Sequence, residues 1–180
     1  MEIQNIFCVG RNYAEHAEEL GNTVPERPLI FTKPTHSAVT ATGNKIALPH
    51  DSGSVHYEAE VVLYIGKDIE ETVAVDEVFT HMALGIDFTL RDVQTELKNK
   101  GHPWVLAKGF KNAAVLTEFW SFPGEAACLG KTFSLVKNGA TAQIGDMNDL
   151  IFDFTTLLTY INIHFGLARE TLFSPGPRQA

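Results

Sequence analysis

Cysteine is scarce in this chain: Cys8 and Cys128 are the only two, with no CxxC spacing. That excludes a disulfide scaffold and a zinc knuckle, and two buried thiols are the plainer reading. No apolar run approaches the roughly 20 residues of a membrane-spanning helix, so no membrane partner is expected. The N-terminus lacks the basic-then-apolar pattern of a secretion signal, so a cytoplasmic location is the expectation. Basic residues are also few. Fourteen Lys and Arg against 22 Asp and Glu give a net charge of -8, which disfavours nucleic acid as a partner. There is no GxGxxG or phosphate-cradling loop to hold a nucleotide, and no repeat, low-complexity tract or linker. His36, His50, His81, His102 and His164 are scattered without ligand spacing, which argues against a zinc site. What remains is 180 residues with 44% hydrophobic and 20% charged side chains, a globular composition long enough to bury a core.

The most informative positive feature is Val55-His56-Tyr57-Glu58-Ala59-Glu60-Val61-Val62-Leu63-Tyr64-Ile65. Its Val, Tyr and Ile content marks a β-strand, in which residues two apart share a face. Glu58 and Glu60 therefore point the same way and repel each other unless a cation lies between them. An all-oxygen ligand set favours Mg²⁺ or Mn²⁺ over zinc. The competing reading of the motif alone is the solvated face of an edge strand. Asp87, in Gly85-Ile86-Asp87-Phe88, places a third carboxylate among apolar neighbours. Buried there it needs a partner: a cation completing a three-carboxylate site, Arg91, or a helix cap.

The rest of the chain reads as strands at 3–9 and around Leu29-Ile30-Phe31, then a helical stretch at 76–82 and a strand at 83–88. A helix over 90–98 is closed by Gly101. Asn12 with Glu15 is suited to cap a short helix over 13–20. Asn138-Gly139 suits a type I′ hairpin within 132–143. Apolar spacing over 149–165 indicates an amphipathic helix. Strands outnumber helices and rarely alternate with them, so the fold class expected is a β-rich α+β domain.

Five motifs in order resemble the fumarylacetoacetate hydrolase family in its small single-domain form: Cys8 to His16, Phe31-Thr32-Lys33-Pro34, His56 to Glu60, Asp87 to Gln94, and Pro103 to Phe110. The resemblance runs from Ile6 to about Phe165. It implies that fold, a homodimer, and a metal held by Glu58, Glu60 and Asp87. It also implies a catalytic pair, His16 with Glu19, on a short lid, with Lys108 and Gln94 in the chemistry and Arg11 and Arg91 binding substrate. Read without the resemblance, His16 and Glu19 are ordinary exposed residues on an acidic helix, and Lys108 could extend to the surface. Cys8 on its strand is a core residue rather than a nucleophile partnered by His16.

The activity implied is divalent-metal-dependent hydrolysis of a carbon-carbon bond in acylpyruvate-type 2,4-diketo acids, with enolate charge stabilised by the metal and Lys108. The alternatives are oxaloacetate decarboxylase or tautomerase activity and 2-hydroxyhepta-2,4-diene-1,7-dioate isomerisation. A truncated, non-catalytic metal-binding protein is the competing class. The carboxyl end departs from the family pattern of Gly-Asp, two apolar residues and Thr-Gly-Thr-Pro-x-Gly. Another reading frame across 169–180 can encode that motif, so a frameshift near Phe165 is expected. The division drawn is a catalytic domain over 1–165 and a non-family tail over 166–180, without strand pattern and disordered after about Leu167.

Overall fold

Val61-Val62-Leu63-Tyr64-Ile65 is apolar at every position, the pattern of a strand covered on both faces. The computed structural model, which describes residues 1–13, 25–69 and 74–176, places that run inside a mixed sheet. In chain order the elements begin with β1 (Asn5–Gly10), β2 (Leu29–Thr32), β3 (Ala38–Thr40) and β4 (Val55–Ile65). Next come α1 (Val75–Val78), β5 (Phe79–Leu90), α2 (Arg91–Lys100), α3 (Val105–Lys108), β6 (Ala114–Leu116) and β7 (Trp120–Ser121). The chain continues with α4 (Glu125–Cys128), β8 (Thr132–Lys137), β9 (Ala140–Asp146), α5 (Phe154–Phe165) and β10 (Thr171–Ser174). Among the described residues the main sheet runs β2-β1-β10-β4-β5-β6-β3, with β7 also on β5, while β8 and β9 form a separate hairpin. The pairs β1–β10 and β3–β6 are parallel and the others antiparallel, which makes the fold a β-rich α+β domain.

Side-chain alternation along β4 divides the interior in two. Val61, Leu63 and Ile65 pack with Phe79 and Phe173 against Leu157, Leu158 and Ile161 of α5. Val62 and Tyr64 point to the opposite face, with Ile6, Cys8, Leu116 and Leu172. Glu58 and Glu60 share the second face by the same period of two. The site thus lies on the side of the sheet away from α5. Each large apolar side chain buried here contributes about 1.5–3 kcal/mol.

The element boundaries differ from expectation in two places. The helix at 76–82 shrinks to α1, and Phe79 to Met82 join β5, because β4 offers a partner along that whole stretch down to Ile65↔Phe79. The helix α5 starts at Phe154 with Asp153 as its cap, accepting from Thr156 N at 2.8 Å, so 149–153 precede it. Asn12 ties two distant segments together: its Oδ1 accepts from Phe152 N at 2.8 Å, and its Nδ2 donates to Pro175 O at 2.8 Å. The helix it was to open falls outside the described residues. The hairpin turn has φ of 53° at Asn138 and 81° at Gly139, as a type I′ turn requires.

The expectation of a strandless, disordered tail is corrected. Thr171-Leu172-Phe173-Ser174 forms β10, buried at all four positions, parallel to β1 and antiparallel to β4. Leu172 fills one core and Phe173 the other, its ring 5.8 Å from that of Phe79. A strand buried on both faces needs no alternation, so so short an apolar run between polar and proline residues carried little signal.

Candidate active site

Cross-strand register assembles the carboxylates. Glu58 pairs directly with Asp87 on β5, and Glu60 pairs with Gly85. Gly85 has no space for a side chain: a Cβ there would sit 2.8 Å from Val62 Cγ2. One ligand oxygen from each of Glu58, Glu60 and Asp87 lies within 4.8 Å of the others, and all three residues are buried. The reading of the acidic motif as a solvated strand face is thereby corrected, since Glu58 and Glu60 are both buried.

Two lysines enter the same pocket. Lys108 Nζ lies 2.6 Å from Asp87 Oδ2 and 3.4 Å from Glu58 Oε2. Lys33 Nζ lies 2.8 Å from Asp87 Oδ1 and donates to the carbonyls of Lys108 and, at 3.2 Å, Ala113. Gly109 lets these segments meet, because a Cβ on it would fall 2.5 Å from Pro34 Cδ. Asp87 is therefore partnered by lysines, and not by Arg91 or a helix cap. Burial pushes its carboxyl up, but Lys33 and Lys108 outweigh that and hold it below the ordinary aspartate range. Burial likewise opposes the charge on Lys108, yet Asp87 and Glu58 raise its pKa. Glu60 goes the other way: burial first, then Asp87 and Glu58, push it well above the usual carboxylate range.

The donor set fits a divalent cation. Glu60 Oε1 is buried without a hydrogen-bond partner, and the three carboxylates raise one another's cost of ionising, which a cation among them would relieve. Hard oxygen donors of this kind suit Mg²⁺ or Mn²⁺.

The remaining expected residues are distributed around this centre. Arg91 and Gln94 share one face of α2, where Arg91 Nη1 donates to Gln94 Oε1 at 2.8 Å. Arg91 Nε also donates to His56 Nδ1 at 3.3 Å, and Nη2 lies 4.0 Å from Glu58 Oε1. Asp92 on the same helix accepts from Ser54 N at 2.7 Å. Arg11 is exposed with φ of 60°, and its charge joins those of Arg91 and Lys108, after partial burial, in lowering the Lys98 pKa. That cationic rim suits a carboxylate-bearing substrate. Clefts of about 510 Å³ beside His56, Glu58 and Arg91, and about 330 Å³ beside Phe31, Trp104 and Lys108, open next to it. His16 and Glu19 lie outside the described residues. Cys8 is a core residue, 3% exposed, and burial raises its thiol pKa, with Asp87 and Glu60 adding to the rise.

Two participants were not assigned a role from sequence. Lys33 stood within a quoted motif, and a lysine directly after the apolar strand Leu29–Thr32 was a usable signal. Gln143 gave none. A polar residue on a hairpin strand reads as surface, yet it is 3% exposed and bonds both backbone groups of Ala59.

A mixed sheet with this pocket defines a metal-dependent enzyme of the fumarylacetoacetate hydrolase class. The fumarylacetoacetate (FAA) hydrolase C-terminal family matches residues 5–178, and the chain belongs to that family. The match extends through β10. Over 170 residues the chain is 36% identical to the oxaloacetate tautomerase YcgM of Escherichia coli K12, covering 92% of this chain and 76% of that protein. It is 36% identical over 167 residues to a mitochondrial oxaloacetate decarboxylase of Dictyostelium discoideum, covering 88% and 74%. It is similar in structure to fumarylpyruvate hydrolase from Pseudomonas aeruginosa in complex with Mn²⁺ and pyruvate, with a TM-score of 0.87, 30% identity, and coverage of 97% and 78%.

Proposed function

We propose that this chain catalyses enol chemistry on small 2-oxo acids, with oxaloacetate tautomerisation or decarboxylation as the first reading. The observation that carries it is the buried cluster of Glu58, Glu60 and Asp87 with Lys108 in contact. The oxaloacetate relatives set the order of the readings. Hydrolysis of acylpyruvates is the second, favoured by the similarity to a fumarylpyruvate hydrolase.

Glu58, Glu60 and Asp87 would hold Mg²⁺ or Mn²⁺, and such an ion supplies a Lewis acid that polarises a keto oxygen and acidifies the adjacent carbon. Lys108 contributes a buried positive charge where negative charge develops, and its neighbours keep it protonated. Gln94, its Oε1 occupied by Arg91, presents Nε2 as the donor end toward a substrate oxygen. Arg91 and Arg11 provide positive charge at the mouth for a substrate carboxylate. His16, oriented by Glu19, is assigned proton transfer: to and from the substrate carbon in tautomerisation, or from water in hydrolysis. Loss of carbon dioxide from oxaloacetate needs no attacking water, so it depends less on that pair.

The test is a panel of oxaloacetate, acetylpyruvate and fumarylpyruvate, assayed with Mg²⁺, Mn²⁺ or chelator. Metal-dependent loss of enol absorbance or release of pyruvate from oxaloacetate supports the first reading, and cleavage of the diketo acids alone supports the second. Light scattering on the same sample reads the homodimer implied by the resemblance.

A further inference from the structure

Among the described residues, the edge of β4 that faces away from β5 is only partly covered by a strand. β10 pairs with Leu63 to Ile65, and Ser174 Oγ donates to Val61 O at 3.3 Å, so the acidic half of β4 lies beyond its reach. There Gln143 takes the place of a strand. Ala59 N donates to Gln143 Oε1 at 2.6 Å, and Gln143 Nε2 donates to Ala59 O at 2.7 Å. A residue in an antiparallel ladder exchanges both its backbone groups with one opposite residue in this way. The two bonds hold both peptide planes flanking Ala59, one attached to Glu58 and the other to Glu60.

Elsewhere the hairpin is held by Phe133, which packs against the core on the α5 side of the sheet. Most positions of β8 and β9 are exposed, and Ile144, next to Gln143, is 51% exposed. At the hairpin's far end Lys137 Nζ donates to Tyr57 Oη at 3.2 Å. The hairpin therefore touches β4 on either side of Glu58.

We propose that Gln143 is a positioning residue: by clamping the Ala59 peptide it sets the direction in which Glu58 and Glu60 leave the strand, and so the spacing of the carboxylates. This rests on the reading of Glu58, Glu60 and Asp87 as a cation site. Outer residues that orient ligands typically account for about 10–100-fold in metal affinity.

The test compares wild type, Gln143→Met, Gln143→Asn and Ile144→Ser. Methionine keeps the length and removes both bonds, while asparagine keeps the amide and loses its reach, which gives a second variant should one fail to fold. Titration with Mn²⁺ alone is expected to show about tenfold or more weaker binding in both Gln143 variants. Exchange of the Ala59 amide should speed up, with kcat falling more than KM changes. Ile144→Ser should bind Mn²⁺ as wild type does, even if the hairpin is loosened. A purely structural role would lower the melting temperature and leave Mn²⁺ affinity unchanged, which would overturn the proposal. If wild type itself takes up no Mn²⁺, the cation-site reading fails and the proposal with it; wild-type binding matched by the variants sinks the proposal alone.

Discussion

Lys108 Nζ lies 2.6 Å from Asp87 Oδ2, in the same pocket as Glu58 and Glu60. An ammonium in that place offsets part of the charge of the acids, and under the proposed function it would also face the substrate anion. Lys108→Met should lower turnover by about 10²–10³-fold, the scale for losing one preorganised electrostatic donor. Mn²⁺ affinity should hold or rise, because a competing cation is gone. Initial rates and calorimetric titration check both, and unchanged turnover would remove Lys108 from the chemistry.

Lys33 has a different task. It is 4% exposed, paired with Asp87, and donates to the carbonyls of Lys108 and Ala113. Lys33→Met leaves those groups short of a partner and should destabilise the fold by about 3–5 kcal/mol, as breaking a buried pair does. Urea unfolding measures it. A loss under about 1 kcal/mol would mean that Lys108 alone suffices for Asp87.

Glu60 and Asp87 give opposite pH dependences. Asp87, held low by Lys33 and Lys108 against its burial, adds stability above its ordinary value, lost as pH falls through the folded pKa. Glu60, raised by burial and then by Asp87 and Glu58, binds a proton more tightly folded than unfolded. Metal-free stability should therefore decline as pH rises above the ordinary glutamate value of 4.5. Glu60→Gln removes that decline, and at pH 7 should raise the metal-free melting temperature by at least about 2–4 °C, the equivalent of about 1 kcal/mol. The same variant should bind Mn²⁺ more weakly. Equal pH profiles for the two proteins would contradict the placement of an ionisable Glu60 in the pocket.

Phe173 tests whether β10 belongs to the fold. It is fully buried and stacks on Phe79. Phe173→Ala should cost about 3–5 kcal/mol. A change under about 1 kcal/mol would return this segment to the status of a tail.

The acidic strand, its partner strand and the hairpin turn were legible because period-two patterning and Asn-Gly turn chemistry are local. The burial of Glu58 was not, because a motif on β4 does not reveal that Lys108 of α3 and Gln143 of β9 come to meet that stretch. β10 itself was hidden by its brevity and its flanking prolines. Lys33 and Gln143 act on residues far away in sequence, Asp87 and Ala59. Such contacts exist only once the sheet order is set.

The most direct measurement is the rate of oxaloacetate conversion by metal-stripped protein, before and after adding Mg²⁺ or Mn²⁺, beside Asp87→Asn. The expected result is turnover that appears with the ion, disappears with chelator, and is lost in the variant together with Mn²⁺ binding. Mn²⁺ binding without turnover of oxaloacetate or either diketo acid would identify a non-catalytic cation-binding protein, and turnover indifferent to chelator would contradict the site altogether.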